Sequence, residues 1–399
     1  MMKNYFFAAA ALFAVSIFGL YSCEDSMQLD ITHASHADLR KREVKQKGAQ
    51  PLEETGKIYV KDNFLYINEK NKGVHIYDNS NPEKPTQVDY LAIPGNLDVA
   101  MKGDFLYADS YMDLVAINMK TKKTTRVNDV FKASFDDMRR EGRFAALGAD
   151  GNYLFSKSFQ AVNNFGGGGG TNNGGGTGTA GSMARFAIVD NFLYVLDGTS
   201  MKVFDITDQE NPKQVGENKM DFTIETIFPE GDKLFIGGTQ GMFIYDNSDP
   251  MKPVAIGKFE HLFSCDPVVV QQDIAYITLR NGTPCRTTVN QLDIVNVKDP
   301  KNPVLLKSYP MHNPHGLSIQ GNTLYVCDGN QGLKVLDVSD INDIKTIGKD
   351  PSLRKAYDVI ALGEQKTLVV VGKEGIFQYN NSDPANLKQL SVIPVQAKG

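Results

Sequence analysis

Tryptophan is absent from this chain of 399 residues, although 16 Tyr and 22 Phe are present. The missing indole weighs against a sugar-binding platform built on broad aromatic faces, leaving only tyrosine for that role. Basic charge is not in excess: 42 Lys and Arg stand against 47 Asp and Glu, giving a formal net charge of −5. A nucleic-acid binder would carry a basic stripe, so nucleic acid is not an expected partner. Four cysteines and six histidines are too few and too scattered to suggest a zinc site. No nucleophile elbow, zincin helix or phosphate-binding Gly-Lys-Ser/Thr stands out. No cofactor or metal is therefore expected, and no catalytic residue is assigned. What is present is 41% hydrophobic residues with 22% charged ones, the balance of a packed globular body.

One long apolar run occurs, at the start. Lys3 precedes Tyr5–Leu20, a stretch of the length of a secretory signal core, too short and poorly flanked for a membrane span. It ends in Leu20-Tyr21-Ser22-Cys23, which resembles a bacterial lipobox. That resemblance implies a signal peptide over residues 1–22 and acyl chains on Cys23 that hold the protein to a membrane. Glu24 and Asp25 resemble the surface-export signal of lipoproteins in the Bacteroides group, which implies an outer-membrane lipoprotein exposed at the cell surface. Residues 23–50 are polar and mixed in charge, with a basic knot at Arg40-Lys41-Arg42, and read as a tether.

From residue 57 one pattern returns: a strand, a tight turn, a second strand with an aromatic residue, a loop, a third strand and a turn ending in Pro. The second-strand aromatics are Tyr66, Tyr107, Tyr194, Phe235, Tyr276 and Tyr325, with Val369 in a seventh copy. Three of the steps between them are 41 residues; the step from Tyr107 to Tyr194 is 87, two periods by length, with no second copy readable inside it. Asp62-Asn63, Gly103-Asp104, Asp190-Asn191, Gly231-Asp232, Gln272-Asp273 and Gly321-Asn322 supply residues that tolerate φ > 0 in two-residue hairpins. Asp78-Asn79-Ser80-Asn81-Pro82 and its counterparts follow the third strands, where short polar side chains fold back on the backbone. Four short strands per period, seven times, predict an all-β fold: one seven-bladed propeller over residues 51–399.

The strings 332–340 (GLKVLDVSD), 201–208 (MKVFDITD) and 242–250 (MFIYDNSDP) resemble LVIVD repeats, which occur in surface propellers of bacteria and archaea. The resemblance extends over residues 57 to about 394 and implies a scaffold and a location, not a reaction.

In a propeller the loops from fourth to first strand and from second to third strand share one face, here called the upper face. Asp98, Arg185, Glu225, Asp266, His315 and Asp358 each lie 9 to 11 residues before the second-strand marker of their blade, so they are expected to ring the channel mouth. Such a ring is a candidate ligand site for a cation, a sugar or another polar ligand. It is equally a set of carboxylates that hold backbone N–H groups of the next blade, with Asp98 and Asp266 able to pair with Arg185. Lys57 is the nearest residue that the first blade offers. An insertion over residues 128–183 separates the second and third blades; it includes Phe131–Arg143, read as a short helix, and a stretch, 166–181, in which 10 of 16 residues are Gly. That glycine-rich stretch is expected to be mobile, and the insertion is either a tolerated surface feature or a lid or partner-contacting loop. Cys265 and Cys285 are expected to form a disulfide in an exported protein, leaving Cys327 as a buried small hydrophobe.

These features favour a non-enzymatic envelope scaffold that takes a protein or polar ligand on the upper face. The alternative is an envelope enzyme acting on a glycan or other polar substrate at the channel mouth, with His315 as general base and Glu225 and Asp266 as carboxylate partners.

Overall fold

The computed structural model describes residues 34–140, 179–260, 267–281 and 289–396. Seven antiparallel sheets stand side by side around a channel, and each meanders outward from an innermost strand. The innermost strands are Ile58–Lys61, Val99–Lys102, Phe186–Val189, Ile224–Glu230, Val268–Gln271, Leu317–Gln320 and Asp358–Leu362, and from the first to the seventh each adjoins the next. The chain is thus a seven-bladed β-propeller. The 87-residue step hides no eighth blade, because the second and third innermost strands are direct neighbours.

Burial explains the strand sequences. The second and third strands of a blade are covered on both faces by the adjoining blades, so they are nearly continuous apolar runs, as in Leu65-Tyr66-Ile67. The outer strands have a free edge and are largely polar and exposed, as in Lys213–Lys219. The aromatic markers also bolt blade to blade. Tyr107 OH donates to Gln209 O of blade three at 3.0 Å, and Tyr194 OH to Asn247 Oδ1 of blade four at 2.8 Å. Tyr325 OH accepts from Asn381 Nδ2 of blade seven at 3.3 Å.

The six predicted hairpin turns all carry a positive φ at their first residue, from 49° at Asp190 to 57° at Gly231 and Gly321. After the third strand an Asp or Asn accepts the N–H two residues on, as Asp78 does from Ser80, Asp246 from Ser248 and Asn380 from Ser382. Glycine is required just before or at the start of four third strands. At Gly332 φ is +79° and an added Cβ would lie 1.9 Å from Asp350 O; Gly73 meets Leu91 O at the same distance. Gly332→Ala is therefore expected to destabilise the fold by about 2–4 kcal/mol, since both backbone strain and overpacking are imposed. Urea denaturation checks this, and a loss below about 0.5 kcal/mol would show that the outer strand can yield.

Ring closure involves no shared sheet. Blade seven is completed by its own Lys388–Pro394. Blades seven and one meet through Ile360, Val369 and Val371 against Ile58, Val60 and Ile67. A reciprocal amide pair, Asn79 with Gln378 at 2.8 and 2.7 Å, joins them, as does Thr55 Oγ1 donating to Gly372 O at 3.0 Å.

The reading of residues 23–50 as a tether requires correction from residue 34 onward. A short helix, His36–Arg40, lies on blade two, and Lys45–Gln46 adds a strand to the outer edge of blade one. Leu39 is fully buried. A single apolar residue and an arginine anchor this segment, which is too little to show as periodicity. The predicted insertion helix is present as Lys132–Arg140. No helix among the described residues is long and apolar enough to cross a membrane.

Candidate functional site

The innermost strands deliver Asp98, Arg185, Glu225, His315 and Asp358 to the upper end of the channel, one from each of five blades. Asp266 lies outside the described residues, as do Cys265, Cys285 and Cys23. The ring falls into two groups.

The first centres on Asp98. Its carboxylate accepts from Lys57 Nζ at 2.6 Å and from the backbone N–H groups of Arg185 at 2.7 Å and Val99 at 2.8 Å. Lys57 is buried, and burial pushes its ammonium below the ordinary lysine range, while the Asp98 charge works against that fall. Asp109, on the second strand of blade two, accepts from the N–H groups of Leu97 at 2.7 Å and Asp98 at 2.9 Å. Burial raises its carboxyl above the usual range, against the pull of Arg185. The Arg185 guanidinium is 3.8 Å from Asp109 and sits over the Phe131 ring at 5.7 Å. The side-chain pairing expected between Asp98 and Arg185 is thus replaced: Asp98 takes the Arg185 backbone, and the Arg185 charge faces Asp109. Two carboxyls and two cations lie together here, and much of their hydrogen-bonding capacity holds the start of blade two in place and ties it to Arg185 at the start of blade three.

The second group surrounds His315, which is buried with 7% exposure. Its Nε2 lies 3.2 Å from Asn313 Nδ2 and 3.4 Å from Arg280 Nη1. Both neighbours are donors, so Nε2 is assigned as the acceptor and the ring proton to Nδ1, which is buried without a partner. Burial first, and then the Arg280 charge, lower the His315 pKa to about 3. A lone pair already directed at two donors is poorly placed to take a substrate proton. This geometry weighs against the expectation of His315 as a general base. Glu225 sits at a bulge between Ile224 and Thr226. Burial lowers the Arg280 pKa to about 10, and the charge of Glu225 opposes the fall. Asp358 is fully buried: Oδ1 accepts from Val359 N–H at 3.0 Å and Oδ2 has no partner. Burial pushes its carboxyl well above the usual range, against the charge of Lys57.

The chain itself occupies the middle of the ring. Thr179–Ala180, at the end of the insertion, pair with Val60 and Tyr59 on the channel side of blade one. Gly181 lies so close to Asp358 that an added Cβ would be 2.0 Å from Oδ2. Ser182 Oγ accepts from Leu317 N–H of blade six at 2.6 Å. Most of the glycine-rich stretch 166–181, expected to be mobile, lies outside the described residues; the last residues of the insertion, from Thr179, cross the channel from blade one past blade seven to blade six. Lys57, Asp109, Arg280 and Ser182 complete the site and were not assigned to it from sequence. Their positions within the repeat are not repeated from blade to blade, so only Lys57, adjacent to the ring register, gave any signal.

Among the described residues no group of three or more His, Cys, Asp or Glu side chains could hold a metal ion. Cys327 is a free, fully buried thiol whose pKa burial raises far above the ordinary value, as befits a core residue and not a nucleophile. A groove of about 560 Å³ lies away from the ring, at the seam of blades one and seven, lined by Leu52, Tyr77, Gln87, Ser391 and Ile393.

The LVIVD repeat profile matches residues 54–90 and 314–344, which are most of blade one and the first three strands of blade six. The chain therefore carries LVIVD repeats within its propeller. No curated protein sequence matches it. Among solved structures it is similar to a protein from Lactobacillus plantarum, at 13% identity and a TM-score of 0.56 over 88% of this chain and 98% of that one. It is similar to the periplasmic gluconolactonase PpgL of Pseudomonas aeruginosa, at 8% identity and a TM-score of 0.56 over 85% of this chain and 97% of that one. It also resembles PorZ, a bacterial surface component of the type-IX secretion system of Porphyromonas gingivalis, at 12% identity and a TM-score of 0.52. That match covers 87% of this chain and 39% of PorZ. Identities this low establish the fold alone.

Proposed function

We propose that the protein is a non-enzymatic scaffold of the cell envelope. On this reading it is held to the outer membrane by a lipid on Cys23, displayed at the surface, and takes a protein or polar ligand on the loop-rich upper face of its propeller. The observation that carries the proposal is the use to which the ring is put. Asp98 holds Lys57 and two backbone amides, His315 is occupied by Asn313 and Arg280, and Gly181–Ser182 fill the space between. Charged groups committed to one another in this way support a rigid platform better than a cleft that must receive and turn over a substrate. PorZ offers a precedent for this fold in a bacterial surface component.

The second reading, an envelope enzyme acting on a glycan or other polar substrate, draws on the Glu225–Arg280–His315 group and on the fold shared with a gluconolactonase. Cross-linking in the native envelope, followed by affinity capture and mass spectrometry, separates the two. The intact protein is expected to capture a reproducible partner, and a version lacking residues 160–176, which spares the channel segment, is expected to lose it. Hydrolysis of a glycan or lactone by the purified protein, abolished in Glu225→Gln and with no partner captured, would replace the scaffold reading with the enzyme.

A further inference from the structure

The N-terminal segment meets the propeller first on its upper face and then along the outer edge of blade one. Ser35 caps the helix His36–Arg40 by accepting from Asp38 N–H. Arg40 grips Asp113 through two hydrogen bonds of 2.8 Å and adds a third, of the same length, to Asp129. Asp113 is fully buried and also takes Arg126 at 3.0 Å and the Asp129 N–H at 2.8 Å. Burial alone would raise its carboxyl, but Arg40 and its other partners prevail and hold it below the ordinary value. His36 Nε2 reaches Asp136 on the insertion helix at 2.9 Å. Asp113 opens the third strand of blade two, directly after the connection from the second, so this clamp is on the upper face. The segment then runs along the upper end of blade one, where Lys45–Gln46 pair with Ala92 and Leu91, before entering the channel at Ile58.

We propose that this strap makes the upper face the surface that meets the lipid bilayer, with the lower face, where the Asx turns lie, directed away. The proposal rests on the lipid-anchored reading of Cys23. The clamp determines how much chain lies between the anchor and the fold: eleven peptide steps separate Cys23 from Ala34. At about 3.5 Å per step they reach no more than about 40 Å, which favours the upper face or its rim at the membrane and lets the lower face approach only with this stretch drawn out almost to its limit. With the strap undocked, 34 steps would separate Cys23 from Lys57. That length reaches about 120 Å, which permits either face to approach the lipid. The strap is therefore an orienting device, and any partner taken on the upper face is one that lies close to the membrane.

The test uses the full-length protein purified from membranes and reconstituted in vesicles containing phosphatidylethanolamine. A long-spacer amine-to-amine cross-linker joins lipid headgroups to nearby lysines, which are then read by peptide mass spectrometry. Lys355 and Lys373 are exposed on the upper face, and Lys120, Lys252 and Lys301 on the lower. The expected result is about tenfold more lipid adducts on the upper pair, because a short tether raises their effective concentration at the bilayer. Arg40→Ala is expected to bring the ratio close to one. A second variant with a flexible 20-residue insertion after Asp25 should do the same without touching the clamp. Equal or greater labelling of the lower lysines in the intact, acylated protein would overturn this proposal and leave the anchor reading standing. Absence of acyl chains from the Cys23 peptide would overturn both.

Discussion

Asp98→Ala is expected to destabilise the propeller by about 3–5 kcal/mol, since removing one member of a buried ion pair strands the other. The carboxylate is 3% exposed and its partner Lys57 is 9% exposed, with 2.6 Å between them. Removing it leaves an enclosed ammonium without its counter-charge and orphans the N–H groups of Arg185 and Val99. Water cannot offset this readily, because Thr179–Ala180 cover the same stretch of blade one. Asp98→Asn should lose less, since an amide oxygen can still accept from one of the two backbone groups. The double variant Asp98→Ala with Lys57→Met should recover much of the loss, because replacing both partners with apolar groups removes the stranded charge. Urea denaturation of the four proteins gives the comparison, and a double variant as unstable as Asp98→Ala would show that the amides and not the ion pair dominate.

Acidification supplies the second large effect. The His315 pKa falls from 6.5 to about 3 on folding. Between those values the unfolded chain binds a proton that the native protein does not, so stability falls as pH is lowered through that window. The slope is up to about 1.4 kcal/mol per pH unit, and the total on the order of 3–5 kcal/mol. Asp358 acts in the opposite sense. Its raised carboxyl keeps a proton that the unfolded chain releases above about 3.8, so its contribution is lost as pH rises from there through the folded value. Stability measured from pH 3.5 to 8 should therefore lose part of its acid limb in His315→Asn and gain a flatter upper limb in Asp358→Asn. Other carboxylates, Asp113 among them, also weaken the protein in acid, so the difference from the parent isolates each group. Parallel curves for parent and His315→Asn would mean that the imidazole is more hydrated than its surroundings imply.

The blades were legible in the sequence because their determinants are local. A turn residue with positive φ, an aromatic in the second strand and an Asx turn after the third all act within a few residues, so they recur as a readable period. The ring register was legible for the same reason, since each member stands at a set distance from its own strand. The partners were not. Asp98 and Lys57 are 41 residues apart, and Arg40 and Asp113 are 73 apart. A lone arginine in a polar stretch has no periodicity to distinguish a clamp from a solvated tether. The channel segment Thr179–Ser182 was illegible on composition as well: small residues next to a glycine-rich stretch look like linker, although that smallness is what lets Gly181 lie against Asp358.

The seam between blades seven and one bears on how the molecule assembles and comes apart. Every other interface joins blades adjacent in sequence, whereas the Asn79–Gln378 pair spans 299 residues. Local hairpins can form and stack in succession without waiting for distant contacts, so the docking of the first blade on the last is expected to be slow and late. Loop-closure entropy grows only with the logarithm of chain length, so the delay reflects the need for a nearly complete arc more than its span. In reverse, the arc should first part at this latch, where no sheet is shared and side-chain bonds with a backbone contact from Gln396 N–H to Leu52 O join the ends, and the lifetime of the closed ring would then be governed by the seam's opening rate and not by the strength of any single blade.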